Sequence, residues 1–394
     1  MPEPTLGLIM ILRNEAANLG RSLAPVASCF DQVVVVDTGS EDGTRDLCRR
    51  MGASVFDYKW GHDFAAARNF SISKATADWL FWLDGDNAIT PQDVVELRRV
   101  ISSSRGEAIL WALEKVEPQG GRLWQKRCFP RSPKVRFQGR VHEQLVHPPE
   151  WPALATNVIV RHWGYCDPAQ TKAKGLYYLE LLNKSLQEDP EDFYSHFQIA
   201  RCYLNLRRFK DASDHLAQVA ADPGAREKNP QLWVHAHILS SRVCVRMGLK
   251  EEAAAILDQL LAQDHLRGLA HYERGRLAYS QGDWQATVRH LDQAVNLGLD
   301  QPVVDLDPER TMFQADYFLG RALYRLRQYP QAAAAMIRAV SRQPGNLAAR
   351  NDLARIFAEM GHLDQAREQL NLALSIRPQD RQASRLLKKL DEAA

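Results

Sequence analysis

The chain lacks the features that mark several common classes of protein. Its six cysteines are scattered and form no Cys-x-x-Cys pair, so they predict neither a zinc site nor a disulfide framework. No apolar run reaches the roughly 18–20 residues of a membrane span, and the run at residues 6–12 ends in Arg13 without a signal-peptide pattern. We therefore expect no transmembrane segment and a reducing, cytoplasmic location, which suits free thiols.

An excess of charge of either sign is also missing. The formal net charge is +2, which gives no basis for bulk electrostatic binding to nucleic acid or to anionic membranes. Neither a Gly-x-Gly-x-x-Gly fingerprint nor a Walker A motif is present, so no dinucleotide or ATP site is indicated. The remaining composition, 45% hydrophobic and 25% charged over 394 residues, is that of a globular protein long enough for two domains.

The first part of the chain alternates strand and helix patterns. Apolar or β-branched runs predict four strands, at residues 6–12, 33–36, 53–58 and 79–83. Helices are predicted between them, the first with Asn14 as its N-cap. This alternation is typical of an α/β domain whose parallel sheet is covered by helices. Two further strands are predicted at residues 108–116 and 122–129.

Polar side chains follow three of these strands where each strand ends. They are Arg13, Asn14 and Glu15 after the first, Asp37 and Ser40 after the second, and Asp84 and Asp86 after the fourth. Because open α/β sheets bind ligands at the carboxyl ends of their strands, we expect all three groups along one edge. Asp37 suits a ribose hydroxyl or a base edge, although it can also cap its own turn.

The acidic pair after the fourth strand has the chemistry of a metal site. Asp84 and Asp86 are separated by Gly85, which permits a sharp turn so that both carboxylates can face one point. Such hard oxygen ligands suit Mg²⁺ or Mn²⁺ beside a diphosphate. The alternative interpretation of this pair is a polar turn after a core strand.

Three motifs in a fixed order carry a resemblance to a known family. They are VDTGSEDGT at residues 36–44, DFAAARN at residues 63–69 and WLDGD at residues 82–86. Together they resemble family-2 glycosyltransferases of the GT-A fold. The most similar branch includes lipopolysaccharide-core glucosyltransferases and peptide glycosyltransferases with helical repeats. The resemblance covers roughly residues 6–165.

The resemblance implies a nucleotide-sugar donor, most often a UDP-sugar, held with a divalent metal, Mn²⁺ or Mg²⁺. Asp37 matches the position that contacts the nucleoside, Asp84 the acid turned to ribose and metal, and Asp86 the main metal ligand. Arg68 lies in the segment that faces the diphosphate, and a guanidinium fork suits phosphate oxygens. The alternative for Arg68 is a salt bridge on a helix surface.

Two later segments look like the Val-His-Glu and His-x-Gly-Tyr segments of the same family, at residues 141–143 and 162–165. In such enzymes an acid after the metal motif commonly acts as general base, and a later histidine closes the metal shell. Glu143 is therefore the candidate base and His162 the candidate third ligand. His142 competes for either role, and both histidines could instead be structural. The resemblance further implies inversion at C1 by direct displacement, with the base removing the acceptor proton.

The second half shows a repeat instead of strands. From residue 171 onward a period near 34 residues appears, which is the tetratricopeptide length. Small residues and a proline recur at this spacing in the last two units, as Gly320, Ala332, Ala339 and Pro344 and then Ala354, Ala366, Ala373 and Pro378. We predict a transferase domain at residues 1–168, a linker helix at 169–190, and a repeat superhelix at 191–394 of about five repeats with a capping helix.

The combined prediction is a metal-dependent glycosyltransferase that modifies a peptide or protein side chain held in the repeat groove. One alternative keeps the enzyme but gives it a saccharide or lipid-linked acceptor in cell-surface polysaccharide assembly. Another is an adaptor whose transferase half no longer catalyses, although the presence of Asp84, Asp86 and Glu143 argues against it. The repeats could also form a scaffold or a dimer interface, so a homo-oligomer stays open.

Overall fold

The structure is a computed structural model that describes residues 3–104, 107–117, 121–163, 168–264, 267–299 and 308–392. By its internal contacts the chain divides into two compact units, residues 1–215 and 216–394. The domain boundaries at residues 168 and 190 are drawn from a change of element type and stay predictions. The segment His-x-Gly-Tyr lies partly outside the described residues, because residues 164–167 are not described.

The first unit is built on a mixed sheet. Its strands are, in chain order, β1 (Leu6–Leu12), β2 (Gln32–Asp37), β3 (Ser54–Asp57), β4 (Trp79–Asp84), β5 (Asn87–Ala88), β6 (Ile109–Val116), β7 (Gly121–Pro130), β8 (Arg136–Gln138), β9 (Gln144–Val146) and β10 (Ala153–His162). Within the described ranges, one sheet has the order β3-β2-β1-β4-β7-β6-β10-β5, and β8 pairs with β9. The first four strands are parallel, as predicted. β7 runs antiparallel to both β4 and β6, so the sheet as a whole is mixed.

Helices cover both faces of this sheet, and the first of them differs from the prediction. The helices that follow the first strands are α1 (Leu19–Ser22), α2 (Thr44–Arg50), α3 (Phe64–Lys74) and α4 (Pro91–Ser103). Asn14 is not an N-cap, because its φ of 55° is left-handed and the helix begins only at Leu19. Asparagine tolerates that conformation better than most residues do. The physical reason is that residues 14–16 form hydrogen bonds to the segment between β2 and α2 and to the first residue of α2.

The alternation of side chains along each strand builds two separate cores. On β1, Leu8 and Met10 belong to the core that packs under α1, α2 and α4, whereas Ile9 belongs to the core on the opposite face. On β4, Phe81 and Leu80 divide in the same way. A strand that is buried on both faces reads as a continuous apolar run, which is why these strands were predictable.

Two further helices belong to the first unit, α5 (Pro168–Glu188) and α6 (Phe193–Asn205). A buried apolar cluster contains Val141 from the segment before β9 together with Leu182 of α5 and Ile199 of α6. The hydroxyl of Tyr194 on α6 also donates a hydrogen bond to the carbonyl of His142, at 2.7 Å. The helix predicted as a linker is therefore a packed part of this unit.

The remaining helices follow one another along the chain, and most of them pack against a neighbour in sequence. They are α7 (Phe209–Ala221), α8 (Pro223–Lys228), α9 (Pro230–Arg246), α10 (Lys250–Gln263), α11 (Gly268–Gln281), α12 (Trp284–Leu297), α13 (Pro308–Arg325), α14 (Tyr329–Arg342), α15 (Leu347–Glu359), α16 (Leu363–Ile376) and α17 (Arg381–Glu392). In the described part of the chain, α6 with α7, and then α9 to α16 taken in order, make five pairs. The predicted bounds of the repeat domain and its capping helix stay predictions, and α17 is the helix that follows the last pair.

Two general features complete the description. No helix in the described ranges is both long enough and apolar enough to cross a bilayer. The cysteines whose surroundings are described are all free thiols, namely Cys29, Cys48, Cys128, Cys202 and Cys244.

Close helix contact in the repeats gives a stability prediction for Gly275. A Cβ at Gly275 on α11 would lie 2.6 Å from Cγ of Leu291 and 3.1 Å from its backbone nitrogen. Because Leu291 is completely buried, it has little room to move. We expect Gly275→Ala to lower the free energy of unfolding by about 1–3 kcal/mol, measured by urea denaturation.

The matched control is another helical glycine in open space. A Cβ at Gly175 on α5 would meet no atom within 4 Å. Gly175→Ala should leave stability unchanged or raise it by up to about 1 kcal/mol, since alanine is the better helix former. Equal behaviour of the two variants would show that helix approach at Gly275 is not the constraint described here.

Candidate active site

The strand register places the predicted polar groups along one edge of the sheet. Leu12 at the end of β1 pairs with Asp37 at the end of β2, and Ile11 pairs with Asp84 at the end of β4. The two acidic positions therefore flank β1 at nearly the same height, two interstrand spacings or roughly 9.6 Å apart. This is the arrangement expected at the carboxyl edge of a parallel sheet.

The loops after β1 and β2 are bonded to each other through side chains. Four hydrogen bonds connect them. Asn14 takes part in two, because its N–H donates to Ser40 Oγ at 2.9 Å and its Oδ1 accepts from the N–H of Glu41 at 2.8 Å. The N–H of Glu15 donates to Thr44 Oγ1 at 2.8 Å, and the N–H of Ala16 donates to Asp42 Oδ2 at 3.1 Å. Asn14 and Ser40 thus hold the two loops together, and Arg13 is exposed beside them. Their predicted contacts with a nucleotide sugar stay predictions.

Asp37 uses its two carboxylate oxygens differently. Oδ1 accepts the backbone N–H groups of Gly39 at 3.1 Å and Ser40 at 2.9 Å, which is the turn-capping role. Oδ2 is buried and has no hydrogen-bond partner among the described residues. The side chain is only 1% exposed. A buried carboxylate oxygen without a donor is costly, so this atom supports the prediction that Asp37 contacts a nucleoside, which stays a prediction.

Glu15 packs against the acidic turn after β4. A Cβ at Gly85 would come within 2.5 Å of Cγ of Glu15, so only glycine leaves room for this side chain. Gly85 does lie in a turn, as predicted, and the close approach of Glu15 is a further reason for glycine there. Burial raises the pKa of the Glu15 carboxyl, and the charges of Asp86 and Asp84 raise it further.

Arg68 of α3 forms ion pairs with side chains from β4 and from the segment before β9. Its Nη2 donates to Oδ1 of Asp84 at 2.7 Å, and its Nε donates to Oε1 of Glu143. The side chain is 6% exposed and the guanidinium lies 4.2 Å from the ring centroid of Trp82. Arg68 was predicted to face a diphosphate, with a surface salt bridge as the alternative. It is neither on the surface nor unpaired, since it is a buried cation held between two carboxylates.

A second buried arginine, which sequence reasoning missed, stands beside it. Arg127 on β7 donates from Nη2 to Glu114 on β6, and its Nη1 lies 3.8 Å from Oδ2 of Asp84. Its guanidinium lies 3.7 Å from the ring centroid of Trp82. Nε and Nη1 of Arg127 have no hydrogen-bond acceptor among the described residues. One signal in the sequence could have indicated this pair. Glu114 follows Leu110 and Ala112 at every second position of β6, so its carboxylate is expected on the buried face, where it needs a cation.

The two arginines decide the ionisation of Asp84. Burial by itself raises the pKa of this carboxyl, but the charges of Arg68 and Arg127 outweigh burial and hold the pKa below its ordinary value of 3.8. Lys174 on α5 acts in the same direction on Asp84 and on Glu15. Asp84 is therefore an anion whose nearest cations are protein guanidinium groups.

Asp86 and His162 are neighbours, as their predicted shared role requires. Nδ1 of His162 lies 3.4 Å from Oδ1 of Asp86 and 2.7 Å from Nδ2 of Asn87. The contact exists because β5 pairs with β10, which sets His162 opposite Asn87. Burial lowers the pKa of His162, but Asp86 outweighs burial and the net shift is upward. Asn87, which was not predicted, is completely buried, and its Oδ1 has no partner among the described residues.

The two candidates for the general base lie in different surroundings. Glu143 is bonded to Arg68 within the acidic site. His142 has a left-handed φ of 54°, and its ring contacts the ring of Tyr178 on α5, with centroids 5.2 Å apart. Of the two, Glu143 is the one connected to the acids at the sheet edge. The base role itself stays a prediction.

The residues fit a divalent cation only in part. Among the described residues, no group of three or more His, Cys, Asp or Glu side chains is arranged to hold a metal ion. Asp84 is turned to arginines, whereas Asp86 and His162 offer an oxygen and a nitrogen side by side. Mg²⁺ is commonly bound by one or two carboxylates together with substrate phosphates, and this edge fits that pattern rather than an all-protein cage.

Arg68 gives a prediction about stability and pH. Arg68→Gln leaves Glu143 and Asp84 without their shared cation, and we expect it to cost about 3–5 kcal/mol of unfolding free energy at pH 7. In the wild type the paired carboxylate stabilises above its ordinary pKa of 3.8 and loses this effect as pH falls through the lower folded value. In the variant, burial raises the carboxyl pKa, so the deficit should shrink toward about pH 4.

Urea denaturation at both pH values measures this difference. The control is Arg49→Gln, which removes an exposed ion pair with Asp46 at 3.1 Å. An exposed pair of this kind contributes about 0–1 kcal/mol. A deficit for Arg68→Gln that is small, or that is the same at pH 7 and pH 4, would contradict the role assigned to Arg68.

Comparison with known protein families gives two results along the chain. Residues 8–155 match the family model described as glycosyl transferase family 2. Residues 242–299 and 323–390 match two models described as tetratricopeptide repeat. The first match covers most of the sheet, from β1 to the start of β10, together with the acidic turn after β4, and the other two fall on the paired helices.

Curated relatives include proteins with related names. A TPR repeat-containing protein of Synechococcus elongatus is 30% identical over 247 residues, which is 59% of this chain and 60% of that protein. The SPbeta prophage-derived glycosyltransferase SunS of Bacillus subtilis is 28% identical over 226 residues, 54% of this chain and 52% of that protein. The chain thus spans between half and three fifths of the length of these relatives.

Solved structures that resemble part of this chain include a TPR protein. YrrB, a TPR protein with an unusual peptide-binding site, is 18% identical, covers 53% of this chain and 99% of its own, and has a TM-score of 0.43. The chain thus has an N-terminal domain that matches the glycosyl transferase family 2 model, followed by helices that match tetratricopeptide-repeat models.

Proposed function

We propose that this protein is a metal-dependent, inverting glycosyltransferase that moves a sugar from a UDP-sugar to a peptide or protein side chain. The observation that carries the proposal is the sheet edge, where a buried Asp37 oxygen without a donor lies near an acidic turn. A turn with a purely structural role would not require a buried carboxylate oxygen that lacks a hydrogen-bond donor. The family match supports a nucleotide-sugar donor at this edge.

The nucleoside end of the donor is assigned to the loop after β2. Oδ2 of Asp37 can accept a hydrogen bond from a ribose hydroxyl or from an N–H group of the base. The bonds between this loop and the loop after β1 preorganise it, which lowers the entropic cost of binding. Two adjacent loops of one parallel sheet thus hold the nucleoside.

The diphosphate end is assigned to the turn after β4. Asp86 and His162 would hold a divalent cation, with phosphate oxygens completing its coordination. When bound, such a cation would neutralise negative charge on the leaving diphosphate. Asp84 is held by Arg68 and Arg127, so its carboxylate orients the turn and can accept from the ribose.

The acceptor side needs a base close to the acidic turn. Glu143 meets this requirement, because the guanidinium of Arg68 fixes its carboxylate in the same cluster as Asp84. From there it can remove the proton of an attacking hydroxyl or thiol while the acceptor approaches C1. The helical repeats support a polypeptide as the acceptor, since paired helices of this type commonly present extended binding surfaces.

Asp37→Asn tests the nucleoside assignment. In the variant, the amide oxygen keeps the bonds to the N–H groups of Gly39 and Ser40, so an NH₂ group replaces Oδ2. A donor then faces the ligand's donor, and we expect UDP to bind at least about tenfold more weakly, measured by isothermal titration calorimetry with Mn²⁺. The control Asp46→Asn changes an exposed acid on α2 and should leave affinity unchanged. Unaltered UDP affinity in Asp37→Asn would refute the assignment.

Glu143→Gln tests the chemical step. The amide can keep the hydrogen bond from Arg68 but cannot accept a proton, so turnover should fall about 10²–10⁴-fold while UDP affinity is retained. The measurement is UDP release from a panel of UDP-sugars with Ser-, Thr- and Cys-containing peptides, with simple sugars as the competing acceptors. Glu150→Gln, an exposed site, serves as control. Full turnover in Glu143→Gln, with loss in His142→Ala, would transfer the role to His142.

A further inference from the structure

The second unit contains a pocket that the transferase chemistry does not use. It has a volume of about 250 Å³ and lies between α13 and α15, with the buried Met336 of α14 beneath it. Its lining residues come from the facing sides of these helices and are Arg321, Tyr324, Arg325, Met336, Asp352, Arg355 and Ile356. Three of the seven are arginines, which gives the lining an excess of positive charge.

The positive charge of the pocket is only partly neutralised. Asp352 is the acid in the lining, and it contacts Arg355 at 3.1 Å and Arg321 at 3.7 Å. Arg325 has no ion pair in the described ranges and is exposed. The three guanidinium groups and one carboxylate leave a net charge of +2. Even if the neighbouring Glu359, which accepts a hydrogen bond from Tyr324 at 3.2 Å, is included, the net charge stays positive.

Aromatic rings hold two of these arginines in place. The guanidinium of Arg321 lies 5.6 Å from the ring centroid of Tyr317 and 5.8 Å from that of Tyr279. Arg325 lies 5.9 Å from the ring centroid of Trp284, which itself contacts Tyr279. The hydroxyl of Tyr317 donates to Asp352 at 3.1 Å. Guanidinium groups positioned in this way lose less entropy when they bind an anion.

The size and the charge together select the ligand class. The volume is below the roughly 300–1,000 Å³ of pockets for drug-sized molecules, so a nucleotide sugar is too large for it. An aliphatic floor with guanidinium groups at the rim matches a short aliphatic stem that ends in a carboxylate. We propose that this pocket binds the Asp or Glu side chain of an extended polypeptide segment. The identification of that segment as the acceptor rests on the proposed function.

Fluorescence anisotropy with the full chain tests this assignment, without any sugar donor. The probes are two N-terminally labelled, amide-capped octapeptides, one alternating glycine with glutamate and the other glycine with glutamine. We expect the glutamate peptide to bind at least about tenfold more tightly, since hydrogen bonds between guanidinium and carboxylate groups are stronger than those to a neutral amide. The preference should weaken at high salt, because the guanidinium groups are partly exposed.

Single substitutions assign the effect to the pocket. Arg325→Gln and Arg321→Gln should each remove most of the preference for glutamate. Arg377→Gln changes an exposed arginine outside the lining by the same charge and should keep the preference. Equal binding of both peptides, or an unchanged preference in Arg325→Gln, would overturn the proposal.

A third probe distinguishes a side chain from a chain end. This probe is the glutamine peptide with a free C-terminal carboxylate. Tight binding of this peptide, with none of the amide-capped glutamate peptide, would overturn the side-chain assignment in favour of a chain terminus. Because UDP release is measured separately, loss of peptide preference with intact turnover would refute only the pocket. Intact peptide preference without turnover would refute only the transferase proposal.

Discussion

The buried ion pairs of Arg68 are the interaction on which the transferase domain depends. A guanidinium group that is 6% exposed must be matched by anions, because an unpaired buried charge costs several kcal/mol. Asp84 and Glu143 supply the match, and they come from β4 and from the segment before β9. One side chain of α3 therefore fixes the position of the acidic turn relative to the candidate base. Because the buried cation must stay paired with both carboxylates, the relative positions of Asp84 and Glu143 are fixed.

The acidic residues at this edge differ in how their carboxylate oxygens are paired. Asp37 caps its turn with one oxygen and leaves the other buried without a donor. Asp84 is neutralised by protein cations, whereas Asp86, two positions later, faces His162. Negative charge is thus neutralised by buried guanidinium groups at Asp84, whereas Asp86 lies beside His162. The proposed diphosphate site uses this second, differently paired carboxylate.

Pattern alone predicted the strands and the repeats because each has a strong period. The first four strands are buried on both faces and read as apolar runs, and the small residues of the repeats recur where helices touch. The carboxyl edge followed from the parallel order, so the placement of Asp37 and Asp84 along one edge was predictable. The start of α1 was wrong, because Asn14 bonds to a loop that is distant in sequence. Arg127, Glu114 and Asn87 were missed since their importance arises only from strand pairing.

A crystal structure of the intact protein with UDP and Mn²⁺ tests the central claim most directly. The account predicts that the nucleoside donates a hydrogen bond to Oδ2 of Asp37 and that the cation contacts Asp86 and the diphosphate at the edge after β4. It further predicts that Arg68 stays bonded to Asp84 and Glu143 in the complex. A nucleotide bound elsewhere, or a cation bound away from Asp86, would contradict the account.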